Sequence, residues 1–384
     1  MRAWISAIAV AALLAPAARP CLAAPPAQQV VLPSGAPSGD PLVDRVWVEF
    51  RAGHGVTAAR PGPAVVLIHG HHAPIRNQMR PYVEAYARRG ISTAVMTLPY
   101  HRERRHPGKC VGGPFVNDDA RRQRQALEQA VADVGQVVTW LREQPLVDPE
   151  RIGITGISLG ALITHLAMGK DPRLVAGVAM LGGGNLPCVQ EHRPGLVQHR
   201  LGGLLDNEEL ELMAPVDPMN YADENQPRQV LMFEGARDWI FPPHCVEGFW
   251  KALGRPPIIW LDAGHIVPVR IEASAARTSA AYLHSVFEGD PKPVGELPHA
   301  YVPTFKIGFI AGLGTLVTPA LQWQAFTFLK RPDHMSLLHA DVGVTGRGPF
   351  VGCAATLTNH VDFGVGYRFL ADAVRPYFSY HLVP

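Results

Sequence analysis

The sequence has little that would commit it to a charged or metal-bound partner. Of its 384 residues only 18% are charged, and lysine plus arginine outnumber aspartate plus glutamate by just 35 to 33. A net charge of +2 supplies no field to steer a polyanion. Arginines do gather at Arg102, Arg104 and Arg105 and at Arg121, Arg122 and Arg124, but acidic residues are interspersed through the flanking segments. No nucleic-acid partner is expected. Cysteine is scarce at five residues, with no Cys-x-x-Cys and no Cys/His pair at zinc spacing, so a structural zinc site is not expected.

At 47% hydrophobic residues the remainder reads as globular, and the length suits two domains. Residues 1–23 have one positive charge, an apolar run from Ile5 to Ala18 and small residues around Cys21-Leu22-Ala23. That pattern is a secretory signal peptide, too short for a membrane span. The expected location is therefore exported: periplasmic, outer-membrane-associated or extracellular. Residues 24–42, rich in Pro, Ala, Gly and Ser, read as a flexible tether. Beyond the leader stand Cys110, Cys188, Cys245 and Cys353, which allow three complete pairings. Cys110 and Cys188 both follow expected strands, so they could meet above a sheet.

Over residues 43–288 strands and helices alternate. Ala64 to Ile68 is an unbroken apolar run, as expected of a strand covered on both faces, and it leaves at His69-Gly70-His71-His72. A helix over 77–89 ends at Gly90 and a strand over 92–98 follows. A long helix over about 118–143 has a stripe from Ala126 to Leu141. Strands are expected at 151–157, 175–181, 229–234 and 257–261, with helices after them. This rhythm specifies a mostly parallel α/β sheet with helices on both faces. Residues 184–222 interrupt it on the carboxyl side of a strand, as a lid or a surface insertion.

Composition changes after Glu288, and residues 289–303 read as a linker. From 304 to 384 the helical period gives way to alternation, as in Phe305, Ile307, Phe309 and in Val361, Phe363, Val365, Tyr367. Five or six antiparallel strands in a small meander are expected. One face is apolar and aromatic, the other polar and glycine-rich, as in outer-membrane barrel strands. Fewer than eight strands argues against a closed barrel, leaving a packed sheet, a self-association module or a membrane-facing piece.

The chemistry centres on Gly156-Ile157-Ser158-Leu159-Gly160, a buried strand running through Gly-x-Ser-x-Gly into an apolar helix. Such a turn lifts one serine hydroxyl above a sheet edge, and its glycines let neighbouring chains approach. A serine hydroxyl needs a base, and the base an orienting acid. Asp238 stands just past the strand Leu231–Glu234, and His265 just past the strand ending at Leu261. Glu234 and Asp262 are the rival acids. Ser158, His265 and Asp238 would emerge together at the carboxyl edge of one sheet. Oxyanion donors would be the N–H of Leu159, at the helix start, and the N–H of His71, with His72 second.

These residues carry a resemblance. With His69-Gly70, the elbow, Gly235-Ala236-Arg237-Asp238 before Pro242, and Gly264-His265, the segment 60–290 resembles α/β-hydrolases of the dienelactone-hydrolase, acetyl-xylan-esterase and prolyl-oligopeptidase-like branch. The resemblance implies a serine esterase, peptidase or related acyl hydrolase with a small ester or acyl substrate and neither metal nor organic cofactor. It does not extend to residues 304–384. The leading expectation is a secreted carboxylic-ester hydrolase working through an acyl-enzyme. A serine peptidase is the nearest alternative, and the absence of a long N-terminal propeller disfavours a size-filtering one. A metal-dependent hydrolase using His69, His71 and His72 and a non-catalytic surface binding protein on a relic hydrolase domain complete the set.

Overall fold

The computed structural model describes residues 27–71, 75–116, 119–192, 205–226, 228–261, 263–265, 269–294, 304–312, 315–330, 336–358, 361–369 and 373–383. The expected leader, His72, Asp262, residues 193–204 of the insertion and residues 295–303 of the expected linker lie outside these. Strands β1 (Gln28–Pro33), β2 (Arg45–Arg51), β3 (Gly62–Ile68), β4 (Ser92–Met96), β5 (Val147–Ile157), β6 (Leu174–Met180), β7 (Gln229–Gly235) and β8 (Ile258–Leu261) form one sheet in the order β1-β2-β4-β3-β5-β6-β7-β8. From β4 to β8 every pair is parallel, and β1 and β2 extend it antiparallel.

Alternation along the parallel strands feeds two cores. Ala64, Val66 and Ile68 of β3 pack with Ile152 and Ile154 of β5 and Val230 and Met232 of β7. The helices α2 (Ala120–Arg142), α3 (Leu159–Lys170) and α6 (Pro243–Ala252) cover that face. Val65 and Leu67 point the other way, with Val178, Leu231 and Phe233, under α1 (Ile75–Ala87) and α7 (Val269–Phe287). A strand buried on both sides must be apolar at every position, which is why β3 reads as an unbroken run. Asp119 starts α2 by accepting the amides of Arg121 and Arg122.

Residues 28–33 were expected within a flexible tether; they form the edge strand β1, in register with β2. The following stretch is fixed too. Ser34 Oγ and the Gly35 amide donate to Asp133 Oδ1 at 2.6 and 3.0 Å, and Asp133 Oδ2 meets the buried Arg104 guanidinium at 2.7 Å. Arg104 also donates to the carbonyls of Val43 and Thr97. Composition alone conveys none of these long-range partners.

In the insertion, α4 (Leu186–Glu191) and α5 (Asn207–Met213) are described. Val189, Met213 and Val216 are buried in the core beneath α2, α3 and α6, so these parts are integral to the domain. Cys188 on α4 is bonded to Cys245 on α6 across 57 residues of sequence, while Cys110 and Cys353 are free and exposed. The expected meeting of Cys110 with Cys188 is therefore corrected.

The C-terminal strands β9 (Thr304–Gly312), β10 (Thr315–Lys330), β11 (Ser336–Thr345), β12 (Gly348–Thr358), β13 (Val361–Arg368) and β14 (Ala373–Val383) are antiparallel, as the alternation indicated. They close into a six-stranded barrel because β9 pairs with both β10 and β14. The expectation that fewer than eight strands would stay open is overturned. At the seam Gly312 has φ +92° and lies against the Pro376 carbonyl, where an added Cβ would sit 2.4 Å from the oxygen.

Candidate active site

Ser158 joins β5 to α3 with φ 57° and ψ −116°, a backbone state that costs a residue with a Cβ and persists only where packing enforces it. The enforcement is visible in the flanking glycines. A Cβ on Gly156 would meet the Gly160 carbonyl oxygen at 2.0 Å, and one on Gly160 the Ile68 carbonyl oxygen at 2.3 Å. The Ser158 amide donates to the Met180 carbonyl at 2.8 Å, tying the elbow to the end of β6.

Two loops bring the partners. The chain turns after β7, the Asp238 amide donating to the Gly235 carbonyl. Asp238 Oδ1 accepts the amides of Ile240 and Phe241 at 2.8 and 2.9 Å, which leaves Oδ2 aimed at His265 Nδ1, 2.7 Å away. His265, past β8, presents Nε2 to Ser158 Oγ at 2.7 Å. With Nδ1–H donated to the carboxylate, Nε2 carries the lone pair that accepts the serine proton. The Asp238 side chain is 1% exposed and that of His265 10%, so the acid is shielded while the base stays reachable. Phe241 stacks on the His265 ring at 6.1 Å. Ser158, His265 and Asp238 thus stand in one hydrogen-bonded file, and Glu234 is not part of it. Glu234 is fully buried; burial first, and the nearby Asp238 charge second, hold its carboxyl far above the ordinary range. As a neutral acid it adds no second negative charge behind His265.

The oxyanion side is built on β3. An added Cβ on Gly70 would lie 3.5 Å from Ser158 Cβ, so the chain after β3 runs beside the nucleophile. His71 follows. Its carbonyl lies 2.7 Å from His101 Nε2, and its own Nε2 lies 3.0 Å from the Gly112 carbonyl. Gly112 leaves room for this: a Cβ there would sit 2.6 Å from His71 Nε2. Behind it, His69 Nε2 accepts the Leu98 amide and Nδ1 donates to the Gly70 carbonyl. Burial, then the neighbouring His101, push the His69 pKa down to about 3, so its ring is neutral. The His69 and His71 imidazoles are thus occupied with backbone. Leu159, whose N–H is the first amide of α3, has no carbonyl one turn earlier to accept it. His101, in Pro99-Tyr100-His101, is the residue whose place sequence reasoning did not assign; only the fold shows it bracing the His71 peptide.

The Prolyl oligopeptidase family model matches residues 119–271, which contain Ser158, Asp238 and His265. An uncharacterized protein of Mycobacterium tuberculosis is 24% identical over 247 residues, spanning 59% of this chain and 56% of that one. A thiohydrolase of Aspergillus aculeatus is 32% identical over 123 residues, 31% of this chain and 34% of its own. The chain thus spans about half or less of the length of these curated relatives. Among solved structures, the acylaminoacyl peptidase of Pyrococcus horikoshii aligns with a TM-score of 0.52 at 17% identity, covering 72% of this chain and 43% of that one. Sheet order, elbow and structural likeness agree: residues 45–287 have the α/β-hydrolase fold.

Proposed function

We propose that this protein is a serine hydrolase that cleaves carboxylic esters, thioesters included, through an acyl-enzyme on Ser158. The observation that carries the reading is the file of two 2.7 Å hydrogen bonds from Asp238 through His265 to a serine held on a strained elbow. His265 Nε2 takes the Ser158 proton as Oγ attacks the acyl carbon. Asp238 holds the ring in the productive tautomer and stabilises the imidazolium that forms. The N–H groups of Leu159 and His71 receive the developing oxyanion, the first aided by the α3 dipole. Protonated His265 then gives its proton to the leaving group, and water repeats the sequence to release the acid.

A peptidase is the second reading, favoured by the family model over residues 119–271. The same residues serve both, because only the leaving group differs. Thioester cleavage has support in the similarity to a fungal thiohydrolase. The test is a fluorophosphonate probe followed by substrate panels. We expect an adduct on Ser158, turnover of p-nitrophenyl esters of graded chain length and of acyl thioesters, and none of aminoacyl or dipeptidyl p-nitroanilides. Anilide cleavage exceeding ester cleavage replaces the esterase with a peptidase. No adduct in folded protein overturns both and leaves a binding protein on a relic domain.

A further inference from the structure

The C-terminal barrel has its polarity reversed. Along every strand, side chains alternate between barrel interior and exterior, and a water-soluble barrel places the apolar set inside. Here each strand sends large apolar groups outward: Phe309 on β9, Trp323 on β10, Val342 on β11, Val351 on β12, Val365 on β13 and Phe378 on β14 are all exposed. The buried set includes Gln322, His339, Asp341, Thr345, Asp362 and Ser379. These interior groups hold one another. Asp341 Oδ2 accepts from Tyr377 Oη at 3.0 Å and Gln322 Nε2 at 3.2 Å, and His339 Nε2 lies 3.4 Å from carboxylate oxygens of both Asp341 and Asp362.

The exterior is continuous because register joins one apolar side chain to the next. Trp323 stands opposite Val342, and Val342 opposite Val351. Phe363 stands opposite Phe378 with rings 4.7 Å apart, and Tyr380 opposite Phe309. The closing pairs of β9 with β10 and β14 carry the belt around the whole circumference. That geometry selects the occupant. A second copy or a globular partner covers one side of a cylinder, whereas a belt on every strand is satisfied by a medium that surrounds it. Most of the strands are also of the right length: β9, β11, β12 and β14 have 9 to 11 residues, matching the ~9–11 needed to cross a hydrocarbon core at a tilt. An apolar exterior around a polar interior, with every backbone edge paired, is the arrangement hydrocarbon demands.

We propose that residues 304–383 insert into a lipid bilayer and hold the α/β domain at its surface. Phe350, Tyr377 and Ile310 fill the interior alongside the polar set, so the barrel is an anchor without a channel. The proposal is independent of Ser158 chemistry, and so is its test. Full-length protein and the conservative variant Trp323→Phe are mixed with phosphatidylcholine vesicles whose acyl chains are brominated, and tryptophan emission is read. Trp323 is the barrel's tryptophan, so we expect quenching of the wild type and loss of that quenching component in Trp323→Phe. Val342→Arg, which places a charge in the belt, should lower the vesicle-bound fraction tenfold or more in flotation. Emission indifferent to brominated lipid, with a monodisperse detergent-free monomer in sedimentation, overturns the proposal. A discrete detergent-free dimer with Trp323 unquenched overturns it too, and assigns the belt to a second copy.

Discussion

Strands β3 and β11 show how differently the two parts of this chain use the same geometry. Every residue of β3 is buried, and its alternate side chains supply two apolar layers covered by helices. In β11 His339 and Asp341 are turned inward and buried while Val342 and Val344 face out. Both obey a period of two. Periodicity identifies a strand, but which side is wet depends on what covers each face. Helices on both faces cover the apolar layers of the first region and leave its candidate site at the sheet's carboxyl edge. Closure around paired polar groups leaves the second with its apolar side chains outward, the surface for which we propose lipid as the solvent.

The largest effect that separates the regions is catalytic. Ser158→Ala should lower kcat by on the order of 10⁴–10⁶-fold while vesicle flotation is unchanged, as activity assays and flotation on one preparation would show. A variant that lost both would make the regions a single functional unit. Next in size is Asp133→Ala, which leaves the wholly buried Arg104 without its carboxylate. Urea denaturation should show a loss of about 3–5 kcal/mol, and replacing both partners with apolar residues should recover much of it. The sharpest contrast pairs two leucines. Leu67→Ala, in the fully buried β3, should cost about 2–5 kcal/mol. Leu321→Ala, on the exposed outer surface of the barrel, should change detergent-free stability by less than about 0.5 kcal/mol yet weaken vesicle binding. Equal costs in denaturation would mean that the belt is covered by protein.

The last effect is a pH slope. His165 is fully buried, edge-on to Phe249, and burial lowers its pKa from about 6.5 to about 3. The unfolded chain therefore binds a proton that the folded one refuses between those values. Its contribution is fully present above pH 6.5 and is lost as pH falls toward 3. The slope is about 1.4 kcal/mol per pH unit. Denaturation at pH 7 and pH 5 should give a smaller difference for His165→Leu than for wild type. An unchanged difference would place the acid sensitivity elsewhere, with His69 the next buried neutral imidazole.

Much of the hydrolase-like region was legible because its signals are local. Ala64–Ile68 announces burial on both faces, and the spacing of glycines around Ser158 reports close approach that the geometry then shows. Asp238 and His265 were readable as residues just past strand ends. What stayed hidden depends on distant pairs. The contact of Ser34 with Asp133 spans 99 positions, and no composition rule conveys it. Cys188 with Cys245 was one of several pairings the sequence allowed, and only the fold brings their Cα atoms to 5.6 Å. The meander's alternation was plain, but closure depends on β9 meeting β14 at Gly312, a pairing no single strand encodes.

The segment after β1 sets a limit on N-terminal trimming. Ser34 and Gly35 donate to Asp133, and Gly35 lies so close to α2 that a Cβ would sit 2.4 Å from the Ala132 carbonyl oxygen. Trimming of the chain past Pro33 would strip β1 from the sheet and cut into the shell around an ion pair that water does not reach. The sheet therefore needs the chain from Gln28 onward, and N-terminal sequencing of protein exposed to an aminopeptidase should find digestion stalling there.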